Sequence, residues 1–234
     1  MAQSEAQKRA VGYHAAEWIE DGMRLGLGTG STVRYLLEAI AERRQRGELK
    51  DISGVPTSED TRRRSEALGI PLTDLRRNPH LDLALDGADE FSPALDLIKG
   101  LGGALLREKI VAVASQTFIA LVDEGKRVEH LGTKAPLPVE VDPFGVGIQD
   151  RFLRDFGAEP TLRVGSTGEP FRTDGGNFVL DCRFRSGIPD PYALAAALDG
   201  RPGVLEHGLF LGLTTRVVIG GEEGVSVLTR RPAA

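Results

Sequence analysis

The chain has a single cysteine, Cys182, in 234 residues. No intrachain disulfide can form, and no cysteine-based zinc site can be built. No run comes near the ~18 apolar residues of a membrane helix, so no span is expected. The segment Met1 to Arg9 is polar and lacks the apolar centre of a secretory signal, so the expected location is the cytoplasm. A basic surplus is missing too: 29 lysines and arginines face 34 acidic residues, a net charge of −5. Proteins that grip nucleic acid through its phosphates need a basic face, so that class is not expected. Lysine itself is scarce, with six against 23 arginines. Glycine is abundant, at 29 residues, gathered in turns without a collagen-like period. The length allows one sizeable core and a smaller second one.

Apolar spacing predicts alternating strands and helices over the first half. Strands are expected at Arg24–Leu27, Ile52–Val55, Ile70–Leu72, Leu81–Leu85 and Phe118–Val122. Helices are expected at Tyr13–Glu20, Thr32–Arg46, after Pro56-Thr-Ser-Glu-Asp60 as far as Leu68, and at Gly103–Ala114. That order implies a parallel sheet with helices on both faces, an α/β fold. Near residue 131 the pattern changes. Prolines 136, 138 and 143 punctuate the chain. A helix (Ile148–Phe156), strands near Thr161–Val164 and Phe178–Cys182, and a helix from Pro191 to Leu198 follow. This α+β order predicts a small second domain at 131–206, leaving 1–130 and 207–234 as the main one. Val217–Ile219 and Val225–Thr229 flank a glycine-rich turn and read as a hairpin.

Four polar clusters each follow an expected strand: residues 28–32, 57–61, 86–90 and 123–126. In a parallel sheet those ends share one edge, where ligands bind. Gly28-Thr-Gly-Ser-Thr32 is a strand-to-helix turn that favours an anion such as phosphate, since glycines admit close approach and the helix start supplies N–H donors. It matches neither the dinucleotide nor the Walker spacing. Its alternative is an ordinary turn capped by Ser31 or Thr32. Asp86-Gly-Ala-Asp-Glu90 sets three carboxylates within five residues, which calls for a metal, a lysine or raised pKa values; its alternative is a solvated acidic turn. Glu108 lies in an apolar helical stripe with Ala104, Leu105, Val111 and Ala112, the setting of a general base. Its alternatives are a reach to solvent or a pair with Arg107 or Lys109. His14, His80, His130 and His207 have no metal-ligand spacing.

These motifs in this order resemble the type A ribose-5-phosphate isomerase family. The carrying residues are Gly28-Thr-Gly-Ser-Thr32, Asp86-Gly-Ala-Asp-Glu90, Lys99-Gly-Leu-Gly-Gly-Ala-Leu-Leu-Arg-Glu-Lys109 and Pro136-Leu-Pro-Val-Glu140. Thr173-Asp-Gly-Gly-Asn177, Pro202-Gly-Val204 and Gly208-Leu-Phe210 add to them. The resemblance implies a Rossmann-like sheet, an inserted ferredoxin-like α+β domain and a homo-oligomer, dimer or tetramer. It implies interconversion of ribose 5-phosphate and ribulose 5-phosphate without metal or organic cofactor. Glu108 then matches the catalytic base, and Asp86 and Asp89 match substrate-binding aspartates, with Asp86 also linked to ring opening. Lys99 and its loop (Gly100, Leu101, Gly102) match site positions, as do Gly87 and Ala88. Lys126 and Thr29, Gly30, Ser31 and Thr32 match substrate contacts, and Lys8 a phosphate contact. Leu101 stands where the family commonly has glycine. Two other readings stay open: a related enzyme such as an amino-sugar phosphate deaminase, and a non-catalytic sugar-phosphate sensor.

Overall fold

The computed structural model describes residues 2–230. In chain order its elements begin with α1 (Ala2–Ala16), β1 (Arg24–Leu27), α2 (Ser31–Gln45), β2 (Ser53–Pro56), α3 (Glu59–Ala67) and β3 (Leu81–Gly87). Next come β4 (Glu90–Phe91), β5 (Leu97–Ile98), α4 (Leu105–Ala114), β6 (Ser115–Asp123), β7 (Leu137–Val141) and α5 (Val146–Asp155). The chain ends with β8 (Ala158–Leu162), β9 (Phe178–Phe184), α6 (Pro191–Asp199), β10 (Val204–His207), β11 (Leu209–Phe210), β12 (Arg216–Gly221) and β13 (Gly224–Thr229). It packs as two units. One comprises the chain up to Ala88, Arg107–Lys126 and the chain from Leu213 on; the other comprises Asp89–Leu106 and Arg127–Gly212. The sequence reading groups 89–106 with the main domain, but by packing they go with the second unit. No helix among the described residues is long and apolar enough to cross a membrane.

The first unit is built on a six-stranded sheet ordered β13-β12-β6-β3-β1-β2. Its five strands from β12 to β2 are parallel, and β13 closes the edge antiparallel. Leu25 and Leu27 of β1 face a core shared with Val11 and Ala15 of α1 and Leu36, Leu37 and Ile40 of α2. Gly26 points to the other face, where a Cβ would strike Val111 of α4. Helices therefore cover both faces, as Rossmann-like order requires. The expected strand at 70–72 reduces to one parallel bridge, Gly54 to Leu72, which extends the order beyond β2. The expected helix Tyr13–Glu20 is instead α1, which starts at Ala2 and stops at Ala16. Residues 2–10 are good helix formers without an apolar stripe, so periodicity does not reveal them. Glu17, Trp18 and Ile19 fold back through i to i−3 bonds that end the helix.

The second unit has a four-stranded antiparallel sheet ordered β10-β7-β9-β8. The element order β7-α5-β8-β9-α6-β10 with this pairing is the ferredoxin-like arrangement. A three-stranded sheet, β11-β5-β4, belongs to the same unit. The sequence pattern predicts no strand at β7, because Pro138 sits inside it and proline cannot donate to a ladder. The carbonyl of Pro138 accepts from Gly208 N–H at 2.8 Å, which places the missing N–H on the side where β10 has already ended, at His207 against Val139. No strand-to-strand bond is lost there.

Candidate active site

In the first unit β6, β3, β1 and β2 run parallel, so their carboxyl ends share one edge. Residues 28–32, 57–61 and 124–126 follow these ends, and 86–88 close β3 itself. The chain leaves β1 on one side to β2 and returns on the other to β3, which makes β1 and β3 the topological switch point where α/β ligands bind. Gly28 fits there only as glycine, since a Cβ would lie 2.2 Å from Asp86 Oδ1. Asp86 is 3% exposed, and its Oδ1 accepts from the N–H groups of Thr29 at 2.8 Å and Gly87 at 2.7 Å. The Thr29 hydroxyl meets those of Thr57 at 2.7 Å and Ser58 at 2.9 Å. The Thr61 hydroxyl donates to the Gly28 carbonyl at 2.7 Å. The hydroxyls of 57–61 thus hold the turn.

Helix α2 starts after Gly30, whose φ of +119° favours glycine, and no side chain caps it. The expected alternative of Ser31 or Thr32 as cap is not what forms. The first-turn N–H groups, with Ser31 and Thr32 beside them, remain an anion-seeking helix end. Lys8 of α1 donates to Glu5 at 2.9 Å, and Glu5 also accepts from Arg34 and Tyr35. The hydrogen bond from Lys8, then that from Tyr35, holds the Glu5 carboxyl below its usual range.

The three carboxylates of the acidic run do not act as one cluster. Asp86 holds the glycine turn, as above. Asp89, in the second unit, accepts from Leu101 N–H at 3.0 Å through Oδ2. Glu90 is fully buried and accepts from the N–H groups of Gly132 at 2.6 Å, Lys134 at 2.5 Å and Ala135 at 2.6 Å. The need for a metal, a lysine or raised pKa values is met for Glu90 by backbone N–H groups, a solution invisible in the sequence.

Lys99 is 2% exposed, and its ammonium lies 5.4 Å from the centre of the Phe210 ring. Its N–H donates to Gly208 O at 2.9 Å. Gly208 permits this approach, because a Cβ there would lie 2.3 Å from Lys99 O. Gly100 and Gly103 have φ of +103° and +81°, and Gly103 N–H closes on Gly100 O at 2.9 Å. Leu101 is not among the positive-φ residues and is 41% exposed, so its side chain leaves the loop outward and strains nothing. Its N–H is already committed to Asp89. No bond is recorded for the N–H groups of Gly100 and Gly102 among the described residues.

Glu108 is 5% exposed in the first turn of α4, so it does not reach solvent. Its neighbour Arg107 reaches Glu59 of α3 at 3.2 Å. Lys126 ends a 3-10 turn after β6, half-buried, with no partner among the described residues.

Two motifs have a supporting place. Glu140, on β7 and 1% exposed, accepts from Thr173 and Asn177 at 2.8 Å each, fixing the 173–177 turn. His207, without ligand spacing in the sequence, meets Asp199 and Glu206 in space, its ligand atoms within 4.8 Å of theirs. Its Nδ1 accepts from Leu209 N–H at 3.2 Å, which keeps the proton on Nε2, 3.0 Å from Asp199. That tautomer suits a hydrogen bond to Asp199 rather than metal ligation through Nε2.

Residues 53–224 match the family model of ribose 5-phosphate isomerase A (phosphoriboisomerase A). A ribose-5-phosphate isomerase A of Roseiflexus castenholzii is 52% identical over 218 residues, 93% of each chain. A probable ribose-5-phosphate isomerase 2 of Arabidopsis thaliana is 44% identical over 94% of this chain and 85% of its own. Among solved structures, ribose 5-phosphate isomerase from Plasmodium falciparum superposes with a TM-score of 0.94 at 37% identity, covering 97% of this chain and 99% of that one. A D-ribose-5-phosphate isomerase in complex with phospho-erythronic acid gives the same TM-score at 41% identity and the same coverage. With its fold and its sequence matched over nearly its whole length, the chain belongs to the ribose 5-phosphate isomerase A family.

Proposed function

We propose that the chain interconverts ribose 5-phosphate and ribulose 5-phosphate by proton transfer through an ene-diolate. The observation that carries the reading is the family match over residues 53–224, a span that contains Asp86, Asp89, Lys99, Glu108 and Lys126. Glu108 removes the proton from C2 of the open-chain sugar, and the C–H electrons form the C1–C2 double bond of the ene-diolate. The same carboxyl returns the proton to C1. One base serves both carbons because a carboxylate on a rigid helix offers two oxygens. Asp86 assists ring opening and moves hydroxyl protons. Lys99 stabilises the negative charge that develops on oxygen. Atoms and electrons balance within the sugar, so the reaction needs no external oxidant or reductant.

The uncapped start of α2, with Thr29, Gly30, Ser31 and Thr32, takes the phosphate. Lys8 joins it by releasing Glu5. Asp89, Gly87, Ala88 and Lys126 hold the sugar, with the 100–102 loop beside Lys99. The phosphate, remote from the reacting carbons, anchors the substrate through its binding energy. A similar isomerase binds phospho-erythronic acid, whose carboxylate offers paired oxygens like those of an ene-diolate. The same proposal includes a homo-oligomer, dimer or tetramer, in the cytoplasm; a sedimentation mass decides the oligomer.

The test is purified protein with ribose 5-phosphate in the presence of chelator. Ribulose 5-phosphate is expected, with competitive inhibition by phospho-erythronic acid. No product sinks the reading. Ammonia released from glucosamine 6-phosphate identifies the deaminase instead, and binding without turnover identifies the sensor.

A further inference from the structure

We propose that Arg163 is a positioning residue for the loop that follows Lys99, and that it does this by turning the loop's carbonyls away from the substrate. The inference rests on the functional reading above and deepens it. Arg163 lies just past β8, its side chain 12% exposed. Its Nε and Nη2 donate to the two oxygens of Asp181 on β9, at 2.8 Å and 2.5 Å. Its Nη1 donates to Gly100 O at 3.1 Å and Leu101 O at 3.0 Å. The guanidinium also lies 5.6 Å from the centre of the Phe171 ring. That ring fills the space where a Cβ on Gly103 would sit, with Cζ 2.5 Å away. Two loop carbonyls are thus gripped by a side chain that is itself locked on a second side and flanked by an aromatic ring.

The consequence follows from peptide planarity. In a trans peptide the C=O and the next N–H point in opposite directions. Holding Gly100 O turns Leu101 N–H away from Arg163, and that N–H meets Asp89. Holding Leu101 O likewise turns Gly102 N–H away from Arg163. Gly102 is exposed, and its N–H is the donor the loop then offers to a sugar oxygen. Asp89 and Arg163 pull the same peptide from opposite ends, which fixes the chain leaving Lys99. Arginine is required, because one planar fork must meet a carboxylate with two nitrogens and two carbonyls with a third.

The experiment compares wild type with Arg163→Ala and Arg163→Lys. Displacement of a positioned group by about 1 Å costs on the order of 100-fold. Expected for Arg163→Ala is a fall in kcat of roughly 10- to 100-fold, with inhibition by inorganic phosphate unchanged. Phosphate is held by the first unit, so a general loss of structure would weaken it as well. Millimolar guanidinium is expected to restore part of the kcat of Arg163→Ala, and Arg163→Lys to behave as a defective variant. Should Arg163→Ala fail to fold, Asp181→Asn, which frees the guanidinium but keeps it, is expected to lower kcat several-fold. Wild-type kcat in the folded Arg163 variants, or in Asp181→Asn, overturns the inference. Parallel loss of kcat and phosphate inhibition without rescue also overturns it. Wild-type protein that yields no ribulose 5-phosphate removes the functional reading and this inference together; an active wild type with a fully active Arg163→Ala removes the inference alone.

Discussion

Two regions that carry proposed site residues are held in place in opposite ways. The strand-end edge of the first unit presents side chains on rigid elements: Asp86 at the end of β3, Glu108 in the first turn of α4, Ser31 and Thr32 at the start of α2. The Lys99–Gly103 loop of the second unit presents backbone, and side chains from elsewhere hold it, Asp89 from one side and Arg163 from the other. The first arrangement gets its precision from the parallel sheet, whose strand ends must coincide. The second gets it from charged clamps on peptide groups, because a glycine-rich loop has little stiffness of its own. Loss of a residue in the first region should therefore remove chemistry, and loss in the second should blur geometry.

The sharpest break is Glu108→Gln. It keeps size and removes the proposed base, so kcat is expected to fall about 1,000-fold, roughly 4 kcal/mol of transition-state stabilisation. KM and thermal stability should change little. Wild-type turnover would strip Glu108 of its role. Lys99→Arg comes next, with a fall in kcat of about 100-fold despite the retained charge. A planar guanidinium does not fit where a compact ammonium is buried against Phe210. Equal kcat in the arginine variant would mean that charge alone suffices.

Glu90→Gln probes backbone grip without touching the chemistry. An amide group would turn donors toward N–H groups that now meet carboxylate oxygens, so about 2 kcal/mol of stability should be lost. The folded fraction should keep its kcat. A denaturant midpoint equal to that of wild type would show that the 132–135 turn stands without Glu90. The smallest effect is expected from Glu59→Gln, which unties α3 from Arg107 beside Glu108. Hydrogen bonds from Arg62, then Arg107, hold the Glu59 carboxyl below its usual value of 4.5. A depressed folded pKa gives stability that is present above the unfolded value and lost as pH falls through the folded one. The variant should therefore be less stable near neutrality by under about 1 kcal/mol, since solvent screens exposed pairs. The gap should close on acidification below pH 4.5. A gap that widens in acid would contradict the sign of the shift.

Much of the fold is legible in the sequence. Apolar runs and glycine turns mark β1, β3 and β6, and helical spacing marks α2. The edge shared by 28–32, 57–61 and 86–88 follows from parallel order alone. Helix α1 hides because its first ten residues carry no apolar stripe, and β7 hides behind Pro138. Leu101 raises a doubt in the sequence that φ resolves, since only Gly100 and Gly103 in that loop need a left-handed backbone.

The sequence by itself determined the order of strands, glycine turns and acidic and basic residues on which the proposed acid–base chemistry rests, with only six lysines to share it. Local pattern is enough for this, because strand ends and helix starts are local features. Only the tertiary structure decided what each carboxylate does. Asp86, Asp89 and Glu90 look alike within five residues of chain. One holds a glycine turn, one a loop N–H and one three buried N–H groups. Hydrogen-bond partners 12 to 57 residues away make that difference, and no spacing rule reaches that far. The grip of Arg163 on the loop, 62 residues distant, is of the same kind.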